Sequence, residues 1–364
     1  MADTLTVALV FGGRSSEHAI SCVTAGGVLG AIDRSRFTVI PIGVTRDGAF
    51  VLEQDDPERL TLGDVLPEVA DNGTRVLWPE SASSRELRVV DADGTVRSLG
   101  TVDVAFPILH GRFGEDGTIQ GMFELVDLPY VGNGVLASSV GMDKHFTKTV
   151  LQAAGIAVAP WVTVSRSSRR ASSTSSWREA AHRFELPVFV KPARAGSSVG
   201  VTKVAAWDDL DAALDTALAE DDKALIEPAI VGREVECAVL SGRGDAGPRV
   251  SVAGEIVVTG REFYDFDAKY VDPDAAQIVC PADLTDGQLG EMQGLAGRAF
   301  DAIGASGLAR VDFFLTADGF VVNEINTMPG FTPISMFPKC WIASGLSYRE
   351  LITELIDLGV EASR

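Results

Sequence analysis

A hairpin late in the chain brings together polar side chains that suit phosphate chemistry. Alternating apolar and polar residues between Ala309 and Asn326 flank an Ala-Asp-Gly turn signal, and we take Asp318 as the centre of the turn. Side chains alternate faces along a strand, so this register puts four polar residues on one face. They are Arg310 opposite Asn326, and Asp312 opposite Glu324. A turn one residue longer would shift the pairing and separate the four.

The side chains of this face include hard oxygen ligands. Two carboxylates and a carboxamide suit Mg²⁺ that is bridged to nucleotide phosphates. The alternative is a solvated face of cross-strand ion pairs. The strand ends in Asn-Glu-Ile-Asn and continues into Thr-Met-Pro-Gly, which is unusual for an exposed face and favours the magnesium interpretation.

A second segment, Val190–Val201, places a lysine before a turn rich in glycine and serine. Lys191 ends an apolar run, and Ser197 and Ser198 follow between glycines. Glycines let backbone N–H groups approach phosphate oxygens, and serines add donors. The segment matches neither a P-loop nor a G-x-G-x-x-G motif, so a phosphate-binding turn and a plain flexible hairpin both stay open.

The segment Arg261–Tyr270 is aromatic and charged, and strands flank it. A long ordered loop of this kind often serves as an active-site lid, which is our prediction. An ordinary surface connection is the alternative.

The elements that must position these groups begin with an open α/β layer. Val7–Phe11 reads as a buried parallel strand that runs into two glycines, and His18 to about Ile32 reads as a helix capped by Ser15 or Ser16. Further buried strands are predicted at 37–44 and 102–109. Ligands of such sheets gather at the carboxyl ends of the strands, where Glu17 and His110 lie.

The rest of the chain reads as two α+β segments. A boundary is predicted near Val140, and from Leu186 onward short strands alternate with a helix from Trp207 to about Glu220. The serine- and arginine-rich stretch 165–176 is predicted to be a mobile, solvated loop. The polar stretch 54–98 gives no clear order of elements.

Composition limits the class of protein. The chain has 364 residues, 46% of them hydrophobic, which is enough for two or three domains without disulfide staples. The net charge of −20 argues against non-specific binding to nucleic acid or anionic membranes. The cysteines (Cys22, Cys237, Cys280 and Cys340) have no C-x-x-C spacing and are expected to be reduced structural thiols. Neither a signal peptide nor a membrane span is evident, which predicts a cytoplasmic protein.

Seven segments in order resemble the D-alanine–D-alanine ligases of the ATP-grasp superfamily over nearly the whole chain. They are Val10–Ser21, Phe106–Gly121, Met142–Lys148, Val190–Val201, Leu225–Leu240, the Asp-Ala-Lys-Tyr segment, and Asn323–Pro338. The resemblance implies an α/β and α+β ATP-grasp fold. Its parts would be an N-terminal open parallel α/β substrate domain (1–140), a central lid subdomain (141–228) and a C-terminal catalytic subdomain (229–364), with ATP between the two α+β subdomains.

The resemblance also implies roles for single residues. Lys144 and Lys191 would contact the α- and β-phosphates, and Ser197–Ser198 would close over them. Contacts to adenine and ribose would come from Glu227, the Ile230 backbone and Glu234. Two Mg²⁺ ions, with Mn²⁺ able to substitute, would be held by Asp312, Glu324 and Asn326, and Lys269 would add charge at the γ-phosphate.

The substrate roles follow in the same way. Glu17 would bind the first D-alanine's ammonium group, in a triad with Ser197 and Tyr270. Arg310 and the Gly330 N–H would stabilise a tetrahedral oxyanion. The second D-alanine would meet three residues, His110, Ser335 and Met336.

The implied activity is ATP-dependent joining of two D-alanines through an acyl phosphate, in a cytoplasmic homodimer that supplies peptidoglycan precursors. Tyr270 resembles the peptide-forming type, whereas Pro228 departs from the lysine often found after the hinge glutamate. The alternatives are a D-alanine–D-lactate or D-serine ligase, an ATP-grasp enzyme for another substrate, and a non-catalytic nucleotide-binding regulator.

Overall fold

The computed structural model describes residues 4–63, 65–170, 176–258 and 276–362. The predicted lid segment Arg261–Tyr270, with Lys269 and Tyr270, lies outside these residues, as does 171–175 of the serine-rich stretch.

The amino-terminal part is the predicted open α/β layer. In chain order its elements are β1 (Leu5–Gly12), α1 (His18–Ala31), β2 (Phe37–Val44), β3 (Phe50–Leu52), a 3-10 turn (Pro57–Leu60), β4 (Arg75–Leu77), β5 (Glu86–Val90), β6 (Val96–Thr101), β7 (Val104–Pro107) and α2 (Thr118–Leu125). The main sheet has the order β3-β2-β1-β7, in which β2, β1 and β7 are parallel. Alternate residues of β1 enter two different apolar cores, which explains its uninterrupted apolar sequence.

The stretch 54–98, for which no order of elements was predicted, contains β4, β5 and the start of β6, which form a small antiparallel sheet. One local prediction in this layer needs correction. Neither serine caps α1: Glu17 occupies the N-cap position without a side-chain cap. Ser15 Oγ instead accepts from the Glu17 N–H and donates to the His110 carbonyl, at 3.2 and 2.6 Å.

The middle of the chain forms a small antiparallel sheet crossed by a helix. Its elements are α3 (Val135–Met142), α4 (Lys144–Ala153), β8 (Val162–Ser165), α5 (Arg166–Arg170), α6 (Ser176–Ala181), β9 (Val188–Pro192), β10 (Thr202–Val204), a 3-10 turn (Trp207–Asp209), α7 (Leu210–Glu220) and β11 (Lys223–Pro228). The sheet order is β10-β9-β11-β8, and α7 packs on it through a core of its own. The predicted loop 165–176 is wrong in part, since α5 and the start of α6 lie within it.

The last part is a larger antiparallel sheet with helices on both faces. Its elements are β12 (Arg233–Leu240), β13 (Arg249–Val258), β14 (Ala276–Val279), α8 (Asp286–Ala302), β15 (Leu308–Thr316), β16 (Gly319–Asn326), α9 (Met336–Ala343) and α10 (Tyr348–Glu361), and the order is β14-β13-β12-β15-β16. Helix α8 packs on one face, and α9 packs on the other.

Shared cores fix the first and last parts against each other. Phe331, in the loop after β16, is fully buried and meets Phe106 of β7 edge to face with ring centroids 6.2 Å apart. Helix α10 shares this core with α1. Helices α3 and α4 pack instead on β16, and α3 runs across the predicted boundary at residue 140. No helix among the described residues is long and apolar enough to cross a membrane.

Two helical glycines differ in the space around them and predict opposite effects on stability. A Cβ on Gly359 of α10 would lie 2.9 Å from the Tyr130 carbonyl oxygen, whereas a Cβ on Gly290 of α8 would meet nothing within 4 Å. We expect Gly359→Ala to lower the free energy of unfolding by about 1–3 kcal/mol through overpacking. Gly290→Ala should raise it by about 0.5–1 kcal/mol through helix propensity. Urea unfolding of both variants measures this, and equal effects would contradict the packing at Tyr130.

Candidate active site

The predicted polar face of the β15–β16 hairpin is present. Asp312 pairs with Glu324 and Arg310 pairs with Asn326, as predicted. The assumed turn was wrong, however, because Thr316 pairs with Gly319 and leaves a two-residue turn. An irregularity next to Asp312 shifts the pairing by one residue and restores the predicted register.

A half-buried guanidinium stands at the centre of this face. Arg310 Nε and Nη2 donate to the two carboxylate oxygens of Asp312 at 2.7 and 2.8 Å. Glu236 Oε2 lies 2.8 Å from Arg310 Nε, and Asn326 Nδ2 donates to Asp312 at 2.9 Å. Burial alone would lower the pKa of Arg310, but the two carboxylates raise it well above its ordinary value. The group therefore stays a fixed cation.

Glu236 has no assigned role in the sequence prediction. It lies on β12 directly opposite Asp312, with 6% of its surface exposed. The alternation Glu234-Val-Glu236 on a strand is the signal that could have found it, because it places both carboxylates on one face. Its partner strand was not evident from the sequence, since β12 and β15 are far apart along the chain.

The glycine–serine turn stands over the hairpin and is tied to it by Lys144. The Lys144 ammonium lies 3.7 Å from Glu324 Oε2 and donates to the Ala195 carbonyl at 2.8 Å. Ser197 and Ser198 both have left-handed backbones, with φ of 50° and 58°. Such consecutive conformations turn backbone N–H groups into a concave surface that suits anions.

A buried charge cluster lies beneath this turn. Glu227 on β11 contacts Lys191 on β9 at 3.0 Å and Lys148 on α4 at 3.3 Å. Burial would raise the pKa of Glu227, but the two ammonium groups lower it overall. For Lys148 burial prevails and its pKa is lowered, whereas Glu227 raises the pKa of Lys191 despite burial. The sequence prediction assigned nothing to Lys148, although it lies one helical turn after Lys144.

The same turn reaches the amino-terminal layer through Glu17. Ser197 Oγ donates to Glu17 Oε1, so two members of the predicted triad meet. A Cβ on Gly196 would lie 3.2 Å from Glu17 Oε2, so the backbone approaches the carboxylate closely there. Tyr270, the third member, lies outside the described residues.

His110 lies at the junction between the amino-terminal layer and the segment after β16. Its Nδ1 is 3.1 Å from the Met328 carbonyl oxygen and 3.7 Å from Glu115 Oε1. Burial would lower the pKa of His110, but Glu115 outweighs it and the pKa is raised. Glu115 is a second residue that the sequence prediction did not single out.

The remaining predicted residues lie on β12, in the link before it, and at or just before the start of α9. Ser335 is the N-cap residue of α9, its Oγ lies 2.7 Å from Thr332 Oγ1, and Met336 follows it buried. A Cβ on Gly330 would lie 3.2 Å from Ser335 Oγ. Glu234 on β12 contributes negative charge that raises the pKa of Lys191. Ile230 is half-buried in the link between β11 and β12.

The predicted metal ligands contact other protein groups in this structure. No three His, Cys, Asp or Glu residues in the part of the chain that the structure describes form a ready metal site. Asp312 instead accepts from Arg310 and Asn326. The donor set is nevertheless oxygen-rich and faces cations, which suits a hard ion that phosphate oxygens help to hold.

The chain is similar in sequence and fold to known proteins. Family models described as "D-ala D-ala ligase N-terminus" and "D-ala D-ala ligase C-terminus" match residues 6–133 and 150–357. A D-alanine–D-alanine ligase of Pseudarthrobacter chlorophenolicus is 55% identical, with 97% of this chain and 94% of that protein covered. The VanG D-Ala:D-Ser ligase of Enterococcus faecalis has a TM-score of 0.85 at 35% identity, with 98% and 100% covered. The D-alanine-D-alanine ligase of Coxiella burnetii has a TM-score of 0.82 at 34% identity, with 100% and 95% covered.

The buried charge cluster predicts strong coupling between Lys148 and Glu227. We expect Lys148→Met to lower the free energy of unfolding by about 3 kcal/mol, because Glu227 loses one of two cations in a buried site. The double variant Lys148→Met with Glu227→Gln should lose less than the sum of the single variants. Urea unfolding without nucleotide measures the cycle. Simple additivity would mean that the two groups do not stabilise each other.

Proposed function

This chain belongs to the D-alanine–D-alanine ligase family and has the ATP-grasp fold, and we propose how its residues join two D-alanines into D-alanyl-D-alanine with ATP. The product supplies peptidoglycan synthesis. The observation that carries the assignment of residues is the meeting of Arg310, Asp312, Glu324 and Asn326 with the lysines and the glycine–serine turn. A cleft lined by both signs of charge suits the transfer of a phosphoryl group.

ATP lies between the middle sheet and the larger sheet. Lys144 and Lys191 contact the α- and β-phosphates, and Ser197–Ser198 close over them. Their ammonium groups lie near Glu324 and Glu227, so phosphate oxygens replace or join carboxylates that these lysines already meet. Glu227 accepts from the adenine amino group, and the Ile230 backbone and Glu234 bind the adenine edge and ribose.

Asp312, Glu324 and Asn326 would hold two Mg²⁺ ions, for which Mn²⁺ can substitute. The metal would neutralise charge on the transferring phosphoryl group. Lys269 adds positive charge at the same place. Glu236 places a second carboxylate 2.8 Å from Arg310 Nε, the same nitrogen that donates to Asp312, and would stay beside this cation if Asp312 held Mg²⁺.

The first D-alanine is oriented by Glu17, which binds its ammonium group together with Ser197 and Tyr270. Its carboxylate oxygen attacks the γ-phosphorus, and ADP leaves, which gives an acyl phosphate. Glu17 contributes to this step by orienting the substrate, because a bound ammonium group directs the carboxylate toward the phosphates.

The second D-alanine is held by its carboxylate at the amino end of α9. Ser335 and the Met336 N–H bind that carboxylate, and the helix dipole favours the negative charge. Its neutral amine attacks the acyl carbonyl and forms a tetrahedral oxyanion. The oxyanion collapses as the C–O bond to phosphate breaks, and phosphate leaves with the proton lost from the amine nitrogen. Arg310 and the Gly330 N–H stabilise the oxyanion. His110, whose Nδ1 is 3.1 Å from the Met328 carbonyl oxygen, lies near this acceptor.

Homodimerisation stays a prediction from the family resemblance. The cytoplasmic location, predicted because neither a signal peptide nor a membrane span is evident, stays a prediction as well, as do the domain divisions at residues 140 and 228. D-Lactate and D-serine are the competing acceptors. Because the chain resembles the structure of a D-Ala:D-Ser ligase, D-serine is the more informative competing acceptor to test against D-alanine.

A phosphate-release assay tests the function. With ATP, Mg²⁺ and D-alanine alone we expect turnover and a D-alanyl-D-alanine product. Addition of D-serine or D-lactate at neutral pH should yield little mixed product. Metal removal with a chelator should abolish turnover, and Mg²⁺ should restore it.

Two results would contradict the proposal. Turnover that appears only with D-serine or D-lactate would assign the chain to a mixed ligase. Nucleotide binding without D-alanine-dependent ADP release would favour the non-catalytic regulator.

The oxyanion role of Arg310 predicts a loss of turnover. We expect Arg310→Ala to lower kcat by about 10²–10³, as for removal of one oxyanion donor. Arg36→Ala is the matched control, because Arg36 forms a surface pair with Asp357 at 2.8 Å far from the cleft. Steady-state kinetics of both variants measure this difference in kcat. A near-normal rate in Arg310→Ala would remove this residue from the mechanism.

A further inference from the structure

Two thiols that have no role in the proposed mechanism lie close together, one on α9 and one just after β14. Cys280 directly follows β14 and is half-buried, and Cys340 is fully buried on α9. Their sulfur atoms are 3.8 Å apart, and both are free thiols. Sulfur atoms at this separation need only a modest approach to reach the bonded distance of about 2.05 Å.

The two thiols differ in character. The contact with Cys340 lowers the pKa of Cys280 against burial, and the Lys339 ammonium adds to that effect. Cys340 is buried, and its pKa is raised. Because Cys280 is half-buried and Cys340 is fully buried, Cys280 has the more accessible sulfur, and Cys340 is placed to resolve it. The other two thiols are buried, and burial raises the pKa of Cys22 to about 12.

We propose that Cys280 and Cys340 form an oxidation-sensitive dithiol site, at which a hydroperoxide produces an intramolecular disulfide. The Cys280 thiolate attacks the peroxide oxygen, and the O–O bond breaks to give a sulfenic acid and an alcohol or water. The Cys340 sulfur then attacks the sulfenic sulfur, the S–O bond breaks, and water leaves with the thiol proton. Two thiols are oxidised and one peroxide is reduced. Disulfides in reducing compartments are usually transient and redox-sensing.

The site is coupled to the acceptor end of the cleft through α9. Ser335 and Met336 begin this helix, and Cys340 lies on the next turn. A Cβ on Gly254 of β13 would lie 2.1 Å from Met336 Sδ and 3.3 Å from Cys340 Sγ. Both side chains therefore pack against the backbone of this glycine. Drawing Cys340 toward β14 therefore shifts the residues proposed to hold the second carboxylate. This consequence rests on the proposed function, whereas disulfide formation does not.

The test treats the full chain with hydrogen peroxide and maps its peptides without reduction after alkylation of free thiols. We expect a linked peptide that joins Cys280 to Cys340, with the mass of two hydrogens lost, and its disappearance with dithiothreitol. Cys280→Ala and Cys340→Ala should each abolish it, and Cys22→Ala should retain it. Cys280→Ala keeps the test valid if the buried Cys340→Ala variant folds poorly.

Kinetics of the oxidised protein test the coupling. We expect the KM for the acceptor D-alanine to rise by about threefold or more, since small misplacements weaken productive positioning, while the KM for ATP stays unchanged. Absence of the linked peptide, or its persistence in Cys280→Ala, would overturn the dithiol site. A linked peptide with unchanged acceptor KM would overturn the coupling to α9. If the untreated enzyme has no ligase activity, the peptide map still decides the dithiol site.

Discussion

The register of β15 against β16 is the constraint on which the cleft depends. It places Asp312 beside Glu324 and Arg310 beside Asn326, so four polar side chains leave the sheet from one face. The opposite face of the same strands packs Val311, Phe313 and Ile325 into an apolar core. A slip of one residue would exchange these faces, and it would bury charges in hydrocarbon. Core packing and catalytic geometry are therefore specified by the same alignment.

Two clusters of the described site hold charge away from solvent, and in each of them opposite ions meet. Arg310 lies between Asp312 and Glu236, and Glu227 lies between Lys148 and Lys191. Isolated burial of any of these groups would be strongly unfavourable. These pairings also keep the groups oriented, so the site is preorganised by ion pairs.

Three parts of the chain contribute side chains to one site, and two loops tie the two α+β parts to the amino-terminal layer. The turn after β9 carries Ser197 to Glu17, and the segment after β16 carries Met328 to His110. Phe331 anchors that segment in the amino-terminal core. The two substrate ends are therefore held on a common frame, which suits a reaction that must align two small molecules with a triphosphate.

The sequence by itself determined the shared face of the β15–β16 hairpin, the first two strands and the family. Alternation along 309–326 predicted the shared face, apolar runs predicted β1 and β2, and the ordered motifs predicted the family. Periodicity is a local property of the sequence, so it can be recognised without knowledge of the fold. Only the tertiary structure decided the rest. The two-residue turn with its compensating irregularity, the sheet of β4–β6, and the partners Glu236, Lys148 and Glu115 depend on contacts between distant segments. A carboxylate on one strand does not reveal which strand will lie beside it, because packing of whole surfaces makes that choice.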